Sequence, residues 1–202
     1  VKAFVAGVII GIVALFAAVA YYFLSGHAPV AVKDRPMPFE KMFANGALHA
    51  RIDKEMPKSS PIRVDEAAFL AGAQVYQHNC AICHGLPTMD QSDIAKGMFP
   101  KPPELFKGKG VTDDPAGESY WKVKNGIRLS GMPGFAQALS DTQMWQVSLL
   151  VANGDKISDA VKEQLKPPTV SGGPGATMPP PAAPAQRIPV MHSRVGAHAR
   201  KP

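Results

Sequence analysis

Cys80-Ala81-Ile82-Cys83-His84 constrains this chain more than any other stretch, because the C-x-x-C-H spacing ties two thiols and an adjoining imidazole to one flat, largely apolar group. The thiols add to the vinyl groups of a haem, and the histidine directly after them lies against the iron as proximal ligand. A chain that does this must fold around the ring. Both cysteines of the sequence lie inside the motif, so no second pair completes a four-ligand zinc site. A thioredoxin-like redox pair would follow a strand in a βαβ unit, whereas the residues before Cys80 have helical spacing. The motif predicts one covalent haem c, held through Cys80 and Cys83 with His84 on the iron.

A second feature sets the compartment. Ala3 to Leu24 is 22 consecutive residues without a charge. As a helix this is about 33 Å long, enough for a hydrocarbon core of about 30 Å. A cleaved secretory signal has a shorter apolar region ending at small residues, whereas this one ends in Tyr21-Tyr22-Phe23. The expectation is an uncleaved single-pass anchor, with Lys2 on the cytoplasmic side and the tyrosines at the opposite interface. That puts everything after Ser25 outside the cytoplasm, where haem is attached to thiols. A bacterial inner membrane, with the haem domain on its periplasmic side, satisfies both inferences.

The net charge of +6 is unevenly spread: residues 61–156 sum to −1, residues 1–60 to +3 and residues 157–202 to +4. A haem unit that is nearly neutral lacks the basic face that nucleic-acid binding requires. The segments divide accordingly into an anchor over 1–25, an extended arm over 26–61, a haem domain over 62–156 and a tail over 157–202. The arm carries Pro29, Pro36, Pro38, Pro57 and Pro61, yet also Met37, Phe39, Met42, Phe43, Leu48, Ile52 and Met56. A free tether has little use for bulky apolar residues, so the arm is expected to lie on another subunit, with a short helix from Phe39 to about Leu48. The tail is rich in Pro, Gly and Ala and buries too little to offset its ordering entropy, so it is expected to be extended or disordered.

Within the haem domain the predicted elements are helical. Asp65 caps a helix that runs through Asn79 and delivers Cys80. Asp114-Pro115 opens a second helix that Gly126 ends. Ser140, with Gln143 three residues on, forms a capping-box pattern for a third, closed by Asn153-Gly154. Gly85 to Gly110, with prolines at 87, 100, 102 and 103, reads as an irregular wrap.

The second axial position decides between electron transfer and ligand binding. Among nine methionines, Met132 in Gly131-Met132-Pro133-Gly134-Phe135 is the strongest candidate, held on a loop 48 residues after His84. Its soft thioether favours ferrous iron. Met98, in Gly97-Met98-Phe99-Pro100, is the alternative. Met144, Trp121 and Trp145 read as packing residues, and His27, His49, His78, His192 and His198 as linker or solvated residues. Lys122, Lys124 and Arg128 are candidates to face a haem propionate or an acidic partner.

The order helix, C-x-x-C-H, proline-rich loop, helix, Asn125-Gly126-Ile127-Arg128-Leu129-Ser130-Gly131-Met132-Pro133, then a helix with Trp145 resembles the single-haem class I cytochromes c. More narrowly, it is similar to the membrane-anchored or subunit cytochromes c of bacterial respiratory complexes. The resemblance covers about residues 62–155 and reaches neither arm nor tail. It implies an all-α fold around one haem c, axial ligation by His84 and Met132, and a crossing of Gly72 and Tyr76 over Trp145 and Leu149. It also implies a proline carbonyl that accepts from His84 Nδ1, with Pro87, Pro100, Pro102 and Pro103 all open. The function expected is one-electron transfer within an integral-membrane redox complex, between a donor and an acceptor protein. The alternatives are a five-coordinate haem that binds gas or peroxide, and an assembly scaffold built from the arm and tail.

Overall fold

The computed structural model describes residues 1–107 and 114–167. Among these the secondary structure is helical, with one isolated bridge between Leu86 and Met89. The tail from 168 onward, with His192 and His198, lies outside the described residues.

The first helix, α1 (Lys2–Leu24), has no buried residue and packs on no other described helix. It is the one described helix long and apolar enough to cross a membrane. The haem-motif helix α3 (Glu66–Asn79) starts where Asp65 accepts from the Ala68 N–H at 2.9 Å, and it runs directly into the short α4 (Ala81–His84). A second short helix, α5 (Asp93–Lys96), is capped by Ser92. Then follow α6 (Ala116–Asn125) and α7 (Asp141–Ala152), the latter with both bonds of the Ser140/Gln143 capping box.

The core forms where α3 crosses α7. A Cβ on Gly72 would lie 2.3 Å from the Gln146 carbonyl oxygen and 3.1 Å from Leu150 Cβ, so only glycine lets the two backbones approach this closely. The expected pairing is thus corrected by one position: Gly72 meets Gln146 and Leu150, while Trp145 turns to α6 and stacks on Tyr120 with ring centres 4.2 Å apart. Ala73, Val75, Tyr76, Val147, Leu150 and Val151 fill the main core, with Met144 and Trp145 in a smaller cluster beside it.

Two expected boundaries move outward. The domain does not end at 156, because α8 (Asp159–Gln164) packs on α3 and leaves Ile157, Val161 and Leu165 buried in the main core. Apolar residues at four-residue steps carried this signal, but six helical residues beside a proline-rich tail were too few to read.

The arm is not extended either. α2 (Glu40–Glu55) is a helix of 16 residues whose C-terminal end rests on α6 of the same chain. Ile52 is fully buried, Trp121 Nε1 donates to Glu55 Oε2 at 3.1 Å, and a Cβ on Gly117 would sit 1.9 Å from the Pro57 carbonyl oxygen. The apolar residues that pointed to another subunit are in part satisfied at home.

Candidate haem site

Cys80, Cys83 and His84 share one helical turn at the end of α3 and through α4, and both thiols are free. A four-residue helix leaves its last carbonyls without intrahelical partners. Here side chains supply them. Ser92 Oγ donates to the Ile82 carbonyl at 2.6 Å, Gln91 Nε2 to that of Cys83 at 3.0 Å, and Tyr76 Oη to that of Gly85 at 2.9 Å. Gln91 is itself buried and donates a second bond to the Pro102 carbonyl at 2.6 Å, which clamps the proline-rich loop to the motif. No sequence signal marked Gln91, because a glutamine in a loop is ordinarily solvated.

The same loop chooses among the four prolines. His84 Nδ1 lies 2.8 Å from the Pro103 carbonyl oxygen. A carbonyl only accepts, so Nδ1 carries the proton and Nε2 is left with its lone pair. Burial lowers the His84 pKa, with the Pro103 bond acting against it, and both the burial and the tautomer suit a neutral metal-binding imidazole. Burial, then the neighbouring Cys83, pushes the Cys80 thiol up to about 12. It is a neutral thiol at ordinary pH.

Met132 is carried differently. Its loop is pressed against the end of α6 by close backbone contact, and within the loop Ser130 Oγ accepts from Met132 N at 3.2 Å and donates to the Ile127 carbonyl at 2.7 Å. Gly126 has φ +70°, and a Cβ there would lie 2.5 Å from Gly134 N. A Cβ on Gly134 would in turn lie 2.8 Å from the Asn125 carbonyl oxygen. Phe135 N donates to the Val123 carbonyl at 2.9 Å and Ile127 N to that of Met132 at 3.1 Å. The side chain of Met132 is half-buried.

Met98 joins the two halves. A Cβ on Gly131 would fall 1.5 Å from Met98 Cε, so the methyl group of Met98 rests on the glycine that precedes Met132. The loop that clamps His84 therefore touches the loop that carries Met132. The other candidates are accounted for elsewhere: Lys122 pairs with Glu118 and Asp114, and Lys124 donates to Tyr120 Oη at 3.1 Å. Arg128 is exposed, as are His27, His49 and His78.

These residues fit a haem c. Two free thiols and an imidazole with an available Nε2 supply the attachment chemistry. Large apolar side chains around the motif are left in part uncovered by protein: Ile82 on α4 and Phe99 about half, and Leu129 at 92% exposure. A flat apolar ring would give them a partner.

Comparison with known proteins agrees. A family model described as cytochrome c oxidase, cbb3-type, subunit III matches residues 67–149. The chain is 36% identical over 92 residues to the cytochrome c subunit of a quinone alcohol dehydrogenase from Gluconobacter oxydans (strain 621H), a match covering 42% of this chain and 18% of that one. It is 33% identical over 91 residues to cytochrome c6 of Limnospira maxima, covering 41% of this chain and 89% of that relative. A chain of the Kuenenia stuttgartiensis reducing HAO-like protein complex aligns with a TM-score of 0.41 at 26% identity, over 50% of this chain and 52% of that one. With a motif, a helical frame and a relative matched over nearly its whole length, the chain belongs to the class I cytochromes c, and haem-based electron transfer is its function.

Proposed function

We propose that this chain is a membrane-anchored, one-electron carrier with a single haem c, serving as a subunit of a membrane redox complex. Cys80 and Cys83 would form the thioethers, and His84 Nε2 and Met132 Sδ would hold the iron. When bound, the haem supplies an iron that gains or loses one electron. The Pro103 carbonyl holds the His84 ring in one tautomer and raises its donor strength. A Met132 thioether would favour the ferrous state, and ligation by both His84 and Met132 would leave the iron no site for gas or peroxide.

The observation that carries this reading is the His84 to Pro103 contact on the same turn as two free thiols, since it leaves the metal-binding nitrogen available. α1 supports the anchor, and a bacterial inner membrane with the haem on the periplasmic side is the placement that goes with haem attachment outside the cytoplasm. The Gluconobacter relative supports the place in a complex, being itself a cytochrome c subunit of a quinone-linked dehydrogenase. The alcohol chemistry of that enzyme belongs to the much longer relative.

The test is purification in mild detergent, with co-purifying subunits identified and the oxidised spectrum recorded. A low-spin protein with sulfur-to-iron absorption that Met132→Ala abolishes and Met98→Leu retains is the expected result. Rapid carbon monoxide binding by the untreated reduced protein would overturn the six-coordinate reading in favour of a ligand-binding haem.

A further inference from the structure

α2 has two apolar faces, and its docking on α6 uses one. At about 100° per residue, Phe43 lies about 180° around the helix from the buried Ile52. Phe39 rests edge-on against Phe43 with ring centres 6.5 Å apart, and Met42 adjoins them. These three are 67%, 58% and 69% exposed in the order Phe39, Met42, Phe43. The segment leading into this end of α2 lines a groove with Glu40 and Phe99, and the cluster itself stays exposed, which marks a contact surface.

Charge says what kind. Lys33, Arg35 and Lys41 border the cluster in sequence, and none has an ion-pair partner among the described residues. The acids between them are occupied by backbone: Asp34 accepts from Val30 N at 3.0 Å and Ala31 N at 2.9 Å, and Glu40 from Met37 N at 2.8 Å. The surface is therefore apolar with cations left free, which is the pattern that suits an anionic lipid headgroup layer. The chain length permits this. Fourteen residues, 25–38, separate Leu24 from Phe39, a reach of at most about 50 Å from the end of α1.

We infer that the Phe39–Met42–Phe43 face of α2 lies in the headgroup region of the bilayer that α1 crosses, on anionic lipid. The inference rests on α1 as the anchor. Because the other end of α2 is fixed to α6 through Ile52 and Glu55, this second attachment holds the haem domain in one orientation to the membrane, where a free tether would let it tumble.

The full chain with a benzophenone amino acid at Phe16, Phe43 or Gln74, irradiated in vesicles of phosphatidylcholine and phosphatidylglycerol and in the native membrane, tests this. Lipid adducts are expected at Phe16 and Phe43 and none at Gln74, an exposed residue of α3. In phosphatidylcholine alone the Phe43 yield falls by roughly threefold or more while the Phe16 yield holds. Lipid adducts at Phe16 alone, or protein adducts at Phe43 in the native membrane, overturn the inference and leave the anchor standing. No adduct at Phe16 removes the anchor and the inference with it. A Phe43 yield indifferent to lipid charge overturns the assignment to an anionic surface.

Discussion

The turn that carries His84 and the loop that carries Met132, the two proposed iron ligands, are held by different physics. Around His84 the backbone is fixed by side chains: Ser92, Gln91 and Tyr76 each donate to a carbonyl of the turn, and the Pro103 carbonyl sets the ring. Around Met132 one side chain, Ser130, bonds the loop to itself, and what seats the loop on α6 is close contact of backbone with backbone, which Gly126 and Gly134 permit by having no side chain. The first arrangement loses stability in steps as donors are removed. The second tolerates no added atom where backbone lies opposite, and yields only where a flexible side chain does.

Gly126→Ala is the sharpest way to break that contrast. The new Cβ meets Gly134 and Met132 backbone at a φ that suits glycine, so a loss of about 2–4 kcal/mol is expected in thermal unfolding, together with loss of sulfur-to-iron absorption. A variant that melts like the parent would show that the loop is not held by backbone contact.

Next in size is Gln91→Leu, which leaves the Cys83 and Pro102 carbonyls without their donor. About 2–3 kcal/mol of stability is expected to be lost, with the covalent haem and the proposed Met132 ligation both retained. Loss of the sulfur-to-iron absorption here would mean the two halves are not separately held.

Gly131→Ala should cost less than about 1 kcal/mol despite the shortest contact of the set, because the atom in the way is the end of the Met98 side chain. A melting loss as large as that of Gly126→Ala would show Met98 to be immobile, and would make it a prop for Met132.

The smallest effect concerns α2. Arg51 first, then the Trp121 indole, holds the Glu55 carboxyl below its usual range. A depressed carboxylate contributes stability above its unfolded pKa of about 4.3, lost as pH falls through the folded value. Glu55→Gln should therefore melt slightly below the parent at neutral pH, with the gap closing in acid. A gap that persists below pH of about 3 would mean that the Glu55 charge is not what secures this end of α2.

How much of this was legible depended on range. Asp65, Ser140 and Gln143 announced their helices because a cap acts within four residues of itself, and the structure shows the bonds. The C-x-x-C-H run was legible for the same reason, since one turn of helix presents all three groups. The arm misled because Ile52 and Phe43 look alike in a sequence, though one is buried on α6 and the other stands out. Gln91 was invisible, and Pro103 was one of four equivalent candidates.

By itself the sequence determined the cofactor chemistry, the helical frame and the apolar helix before it, because each depends on residues adjacent or a turn apart. Only the tertiary structure decided which proline carbonyl turns the imidazole, that Met98 rests on Gly131, and that α2 and α8 join the domain. Those outcomes hang on contacts between residues far apart in the chain, where packing and backbone approach select among partners of equal local chemistry.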